Sequence, residues 1–172
     1  MANTEAGSAV ASTAPRRMYD VFITHAWRYH DDWTHVCALL DHAPGFKWRN
    51  FSLPWHDPAM DTNSEVGRKF IYDALETQII PVNAVILLAG VYAVKSAQRW
   101  LDLEIEFARK HKKPIIGLPA IGSTEVPLPV GSSCDKVAVW DSASLVRALQ
   151  EACGWPEPEA AATADAWTKI ER

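Results

Sequence analysis

Residues 84–89 of the chain read Ala84-Val85-Ile86-Leu87-Leu88-Ala89, and this stretch decides the fold class. Every position in it is apolar, so a strand formed here has no face that suits water. Strands that are apolar on both faces are typical of parallel sheets covered by helices on either side. We therefore predict that this segment is a central strand of an α/β protein.

The segments around this strand alternate between strand patterns and helix patterns. Short apolar or β-branched runs predict four further strands, at 19–24, 46–51, 114–118 and 136–140. Apolar residues at helical spacing predict helices over 31–41, 66–75, 96–112 and 142–152. Thr62 to Glu65 fits a capping box at the start of the second helix. The alternation predicts a flavodoxin-like α/β fold: five parallel strands with helices on both faces and right-handed crossovers.

Length and composition indicate one folded domain. The 172 residues are 48% hydrophobic and 22% charged, as in soluble globular proteins. We predict a disordered leader over 1–17, the α/β domain over 18–155 and a C-terminal tail over 156–172. The leader has no basic segment followed by an apolar run, and no stretch approaches the ~20 apolar residues of a membrane span. We therefore expect a cytoplasmic protein with no membrane partner.

Charge and ligand spacing argue against several other classes of protein. The net charge of −4 does not favour nucleic acid as a partner. The three cysteines form no C-x-x-C pair, and three of the histidines step by five residues, which does not place two ligands on one helical face. We therefore expect no metal site. Residues 24–28 contain no glycine for close phosphate approach, which argues against a nucleotide- or flavin-binding doubly wound protein.

One carboxylate interrupts the apolar face of the predicted helix 96–112. On a helical wheel, Glu104 falls within an apolar arc formed by Trp100, Leu101, Leu103, Ile105, Phe107 and Ala108. An ionised carboxylate in a dry interior is strongly disfavoured, so it must be paired, neutralised or placed at a cleft. The residues alone leave two interpretations open. Glu104 is either a structural glutamate that pairs with arginine or caps a loop, or a functional carboxylate on a pocket floor walled by Trp100.

Two motifs resemble those of Toll/interleukin-1 receptor (TIR) domains. The stretch Tyr19-Asp20-Val21-Phe22-Ile23-Thr24-His25 resembles the first strand of that family. The stretch Trp100-Leu101-Asp102-Leu103-Glu104 matches its W-x-x-x-E signature on the helix after the third strand. The resemblance covers roughly residues 18–154, and the chain looks especially like the bacterial TIR-like group of the Thoeris anti-phage system.

The resemblance implies an enzyme that takes NAD⁺ as its substrate and cleaves the N-glycosidic bond to nicotinamide, with no further cofactor. It implies that Glu104 is the catalytic glutamate and Trp100 its neighbour, and that Thr24 and His25 line the substrate pocket. Bacterial members of this type make a cyclic ADP-ribose isomer or a related conjugate on sensing phage infection. The implied partners are therefore NAD⁺, a phage-derived trigger and a separate effector that the product activates.

The resemblance also assigns roles to a loop and to aromatic residues. Residues 52–58 would gate the site or mediate self-association, so we expect a homo-oligomer when the enzyme is active. Trp55, Tyr92 and Trp100 are candidates for stacking on the flat ring or shielding the cation, and we place the first two on loops.

Two alternatives remain open from the sequence. One is a non-catalytic TIR-like interaction module, in which Glu104 would be sealed by a salt bridge instead of lining a pocket. The other is an enzyme like the nucleoside deoxyribosyltransferases, which share the N-glycosidic chemistry and a catalytic glutamate. Such an enzyme would cleave nucleosides and leave NAD⁺ intact.

Overall fold

The computed structural model describes residues 17–24, 31–52, 64–128 and 130–155. A short 3-10 turn over Gly131–Ser133 precedes the last strand. The strands and helices are, in chain order, β1 (Met18–Ile23), α1 (Asp31–Asp41), β2 (Lys47–Asn50), α2 (Glu65–Ile79), β3 (Ala84–Leu88), α3 (Ala89–Tyr92), α4 (Lys95–Lys110), β4 (Ile115–Leu118), β5 (Lys136–Val137) and α5 (Ser142–Ala152).

The strands form one parallel sheet in the order β2-β1-β3-β4-β5. This confirms the predicted flavodoxin-like α/β fold. Right-handed crossovers place α1 on one face of the sheet and α2 and α4 on the other. In agreement with this arrangement, α1 packs against α5 and α2 packs against α4. The direction of travel reverses between β1 and β3, so their carboxyl ends flank the switch point of the sheet.

The core is centred on β3, which is buried at all five positions as its sequence predicts. On the neighbouring strand, Val21, Phe22 and Ile23 are fully buried. Helix α4 covers the sheet with Leu101 and Phe107, which are also inaccessible to solvent. Of the helices that the structure describes, none is long and apolar enough to cross a membrane.

The start of α2 differs from the prediction. The N-cap is Ser64, whose hydroxyl accepts a hydrogen bond of 3.0 Å from the backbone N–H of Gly67. The predicted capping box from Thr62 to Glu65 is therefore wrong, and Thr62 itself lies outside the described residues. Ser64 has the same capping hydroxyl and stands directly before the first helical residue, which is the position from which it reaches a free N–H.

Two further segments differ from their predicted form. Strand β5 ends at Val137 instead of 140, because the N–H of Val139 donates to the side chain of Ser144 and the chain leaves the sheet. Residues 89–92 form the short helix α3, so Tyr92 ends a helix and does not lie on a loop as predicted.

The last described residue is docked on the first strand. The hydroxyl of Tyr19 donates to the carbonyl oxygen of Trp155 at 3.0 Å, and the two rings meet edge to face with centroids 5.3 Å apart. The guanidinium of Arg17 lies 5.0 Å from the centroid of the Trp155 ring. The boundaries at 17 and 155 stay a prediction, since residues 1–16 and 156–172 lie outside the described residues.

Candidate active site

Helix α4 carries Glu104 on its inner face. Four residues at helical spacing from it are buried: Ala97, Leu101, Phe107 and Ala108. Glu104 itself is 2% exposed. The predicted placement of a carboxyl group within an apolar helix face is therefore confirmed.

The carboxyl group of Glu104 is poorly satisfied. Its Oε2 atom has no hydrogen-bond partner in the described part of the chain, and none of the ion pairs there includes Glu104. Burial raises its pKa well above the ordinary value and so favours the protonated form. The interpretation of Glu104 as half of a structural salt bridge finds no partner among these residues.

Trp100 lies one turn before Glu104 and faces elsewhere. It is half-buried and lines an open groove of about 530 Å³ between α2 and α4. The guanidinium of Arg99 sits 5.4 Å from the centroid of its ring. Tyr72 and Leu103 also line this groove, but Glu104 does not. The groove is therefore not the predicted pocket with Glu104 at its floor.

Tyr92 joins α3 to α4. Its hydroxyl donates to Oδ1 of Asp102 at 3.2 Å, and its carbonyl oxygen accepts a bond of the same length from the side chain of Gln98. Burial raises the pKa of the Tyr92 hydroxyl, and the adjacent charge of Asp102 raises it further. Tyr92 therefore bonds to one residue that lines the groove, Asp102, but does not line the groove itself.

Thr24 follows the last residue of β1 and is fully buried. Its N–H donates to the carbonyl oxygen of Ile86 at 2.9 Å, and its hydroxyl oxygen accepts a bond of 3.0 Å from the N–H of Leu88. Thr24 therefore ties the carboxyl ends of β1 and β3 together at the switch point. His25 and Trp55 lie outside the described residues, so their assignment to the substrate pocket stays a prediction.

Ser52 is fully buried just after the end of β2. Its hydroxyl oxygen accepts hydrogen bonds of 3.1 Å from the N–H of Ile23 and from Nε1 of Trp33, and it donates to Oδ1 of Asn50 at 2.6 Å. These bonds join the end of β2 to β1 and α1. Residues 53–58 lie outside the described residues, so the prediction that the 52–58 loop gates the site or mediates self-association stays a prediction.

Sequence reasoning missed a contact between Asp32 and Gly90. Asp32 is half-buried in the first turn of α1, and Gly90 is the second residue of α3, just after β3. An ideal Cβ on Gly90 would lie 2.6 Å from Oδ2 of Asp32. The available signal was the glycine itself, because a glycine at the end of a buried strand often marks close approach of another group.

Cysteine and metal chemistry find little support in the described residues. The three cysteines are free, and burial raises the pKa of Cys37, Cys134 and Cys153 to about 11 each. Thiols with such pKa values are poor nucleophiles at neutral pH. Within the described ranges, no group of three or more His, Cys, Asp or Glu side chains is placed to hold a metal ion.

Comparison with known proteins identifies the family to which this chain is similar. The sequence profile of the family described as "Thoeris protein ThsB, TIR-like domain" matches residues 22–124, more than half of the chain. Among solved structures, the chain is similar to a conserved protein from Enterococcus faecalis V583, with a TM-score of 0.50 and 11% identity over 78% of this chain and 99% of that one. At that identity the likeness shows the fold alone. No curated protein matches the chain.

Proposed function

This chain belongs to the TIR-like domain family of the Thoeris protein ThsB, and from that premise we propose that it cleaves NAD⁺ between nicotinamide and ribose. In this proposal Glu104 is the catalytic carboxylate. The product is an ADP-ribose derivative, cyclic or conjugated, that activates a separate effector in the cytoplasm during phage infection. Thr24, His25, Trp55, Tyr92 and Trp100 are proposed as substrate contacts.

One observation carries the proposal, the unpaired burial of Glu104. A carboxyl group in the core that serves structure is paired, because an unsatisfied buried polar atom costs about 1–3 kcal/mol. Glu104 is 2% exposed, and its Oε2 atom has no partner among the described residues. An amide or apolar side chain at this position would suit the fold better, so the carboxyl group is best explained by chemistry.

The chemistry of NAD⁺ cleavage needs only one carboxylate. Nicotinamide leaves the cationic dinucleotide as a neutral molecule, so the leaving group requires no general acid. Positive charge develops on the ribose, as in the oxocarbenium-like transition state of glycoside hydrolysis. A carboxylate that bonds the ribose hydroxyls binds more strongly as this charge grows, and such differential binding accelerates the reaction.

The protonation state of Glu104 fits a carboxylate that ionises when substrate arrives. Burial favours its neutral form in the substrate-free protein. A cationic pyridinium ring and hydroxyl donors placed beside it favour the charged form instead. We therefore expect NAD⁺ binding at neutral pH to release a proton.

Access to Glu104 requires a change from the described conformation. The carboxyl group faces the core, and the groove that Trp100 lines does not include it. This arrangement supports an enzyme that stays inactive until a phage-derived trigger or self-association exposes the inner face of α4. Self-association through the loop that contains Trp55 belongs to the same proposal.

The test is to incubate the purified protein with NAD⁺ and to separate the products. The assay is run with and without extract from phage-infected cells, and with Glu104→Gln as the inactive control. We expect nicotinamide and an ADP-ribose product to appear together, in amounts proportional to the enzyme concentration. Cleavage of nucleosides with NAD⁺ left intact would indicate the transferase-like alternative, and no cleavage of either under both conditions would favour the non-catalytic module.

A further inference from the structure

The carboxylate of Asp32 extends from α1 toward Gly90 in α3, just after the end of β3. Its Oδ2 atom occupies space next to Gly90 that an alanine side chain would need, at 2.6 Å from the ideal Cβ position. The same Cβ position is 3.6 Å from Ala120, which follows β4. Three segments from the carboxyl edge of the sheet therefore meet at this point.

The contact lies at the switch point. The bond between the hydroxyl of Thr24 and the N–H of Leu88 joins β1 to β3 just before Gly90. In open α/β sheets the crevice outside the strand ends at the switch point is where ligands bind. Asp32 is thus placed at the ligand-binding edge of the fold and not merely on a solvated helix end.

The carboxylate is half-buried and has no hydrogen bond or ion pair within the described ranges. Burial raises the pKa of Asp32, the charge of Asp31 raises it further, and His35 opposes the shift. A half-buried carboxylate with no donor among these residues keeps its lone pairs open to a ligand, and a ligand that brings hydroxyl groups forms charge-assisted bonds with it.

We propose that Asp32 is a substrate-binding residue whose two carboxylate oxygens accept hydrogen bonds from the vicinal hydroxyls of a ribosyl group. The inference rests on the proposed function for its substrate and extends it to a residue that neither family motif contains. Two acceptor oxygens match the two adjacent hydroxyls of a ribose, and charge-assisted bonds of this kind are about twice as strong as neutral ones. The negative charge repels the diphosphate, so a ribose and not a phosphate occupies this position.

The test compares Asp32→Asn with Asp31→Asn. Both positions lie in the first turn of α1, so both variants lose a similar interaction with the helix dipole, but Asp31 is exposed. Two quantities are measured on the full-length chain: the KM for NAD⁺ and the Kd for ADP-ribose, which keeps the ribosyl hydroxyls and lacks nicotinamide. We expect Asp32→Asn to raise both about tenfold to a hundredfold and Asp31→Asn to change them less than about twofold.

A second variant moves the carboxylate without removing its charge. Gly90 has no positive φ, so alanine fits the backbone there, and its Cβ pushes aside only the flexible end of Asp32. We expect Gly90→Ala to weaken ADP-ribose binding in the same direction while the protein still folds. Combined with Asp32→Asn it should add little, because both changes act on one contact.

The outcomes separate this inference from the proposed function. If Asp32→Asn behaves like Asp31→Asn while the wild type cleaves NAD⁺, the inference is wrong and the proposed function stands. If ADP-ribose binding depends on Asp32 but NAD⁺ is never cleaved, the ribosyl site stands and the proposed function is wrong. A wild type that neither binds ADP-ribose nor cleaves NAD⁺, with or without infected-cell extract, overturns both.

Discussion

Two groups of carboxylates differ in their hydrogen-bond and ion-pair partners. One group lies at the amino edge of the sheet, and the other lies near the carboxyl edge and on α4. At the amino edge, Asp20 accepts two bonds of 2.7 Å from the guanidinium of Arg49, its partner in the β1–β2 register. Asp135, before β5, accepts bonds from Arg109 as well as from a strand N–H. Asp32 and Glu104 have no such partners among the described residues.

The difference separates carboxylates that hold the fold together from those that the fold tolerates at a cost. Asp135 supplies an acceptor to the N–H of Ile115, a fully buried residue at the start of β4. Glu104 contributes nothing comparable, since its buried Oε2 atom bonds to no described group. The paired set, Asp20 and Asp135, should therefore control stability. The unpaired set, Asp32 and Glu104, should control activity.

The largest expected effect is on turnover. Glu104→Gln keeps the shape of the side chain but removes the charge that, in the proposed mechanism, stabilises an oxocarbenium-like transition state. We expect a loss of roughly 10²–10³ in kcat for NAD⁺ cleavage, about 3–4 kcal/mol, with the fold intact. Single-turnover and steady-state rates per folded molecule are the measurement.

Glu106→Gln is the matched control for this change, because Glu106 lies on the same helix and is exposed. It should keep close to normal turnover. Normal turnover per folded molecule in Glu104→Gln would end the assignment of Glu104 as catalytic.

The second effect tests the paired set. Asp135→Ala leaves the buried N–H of Ile115 without its acceptor and removes the ion pair with Arg109, so the free energy of unfolding should fall by about 1–3 kcal/mol. Urea unfolding measures this change. Asp73→Ala, which removes only a solvent-screened, exposed pair with Lys69, should cost much less than Asp135→Ala. An undamaged fold combined with a loss of turnover in Asp135→Ala would break the distinction between the two sets.

The third effect is on the pH dependence of stability. Because the pKa of Glu104 is raised in the folded protein, the folded state keeps a proton that the unfolded chain releases above the ordinary glutamate pKa. This contribution to stability is full at acid pH and is lost as the pH rises toward the folded-state pKa. Glu104→Gln, which stays neutral, should leave the Tm almost unchanged near about pH 4 and raise it by roughly 2–8 °C near neutral pH.

Thermal melts of Glu104→Gln and Glu106→Gln across this pH range give the comparison. Only Glu104→Gln should show a gain in Tm over the wild type that grows as the pH rises. A fall in Tm for Glu104→Gln at neutral pH would instead reveal a buried cationic partner and move Glu104 into the paired set.

The smallest expected effect concerns the chain end. Truncation after Trp155 should change the Tm by less than about 1 °C, because the tail shows no apolar stripe of its own. Truncation after Gly154 should cost more, since it removes the carbonyl and ring that contact Tyr19 and Arg17. A large loss in the longer truncation would show that the tail packs on the domain.

The sequence predicted the main elements because their signals are local and strong. The unbroken apolar run of β3 and the helical spacing around Glu104 each specify an element within one segment, and both appear as expected. Helix α3 was missed because its four residues are too few to show a period. The cap of α2 was misplaced because Thr62 and Ser64 offer the same hydroxyl, and only geometry decides between them.

The candidate site was predicted in part for the same reason. The burial of Glu104 follows from one helical wheel. The contact of Asp32 with Gly90 and the bonds of Ser52 to Ile23 join segments that are far apart in the chain and carry no pattern of their own. Such contacts are set by strand order and loop path, so a single sequence does not contain a local signal for them.

The approach of Asp32 to Gly90 also makes evolutionary substitutions at these two positions depend on each other. A Cβ at position 90 would lie 2.6 Å from the Oδ2 atom, so any residue larger than glycine there displaces the Asp32 carboxylate from its present position. In related chains, a residue larger than glycine at the position of Gly90 should occur together with a shorter or differently directed residue at that of Asp32. Substitutions at either position should therefore be accepted in pairs, and the order in which they arise should matter.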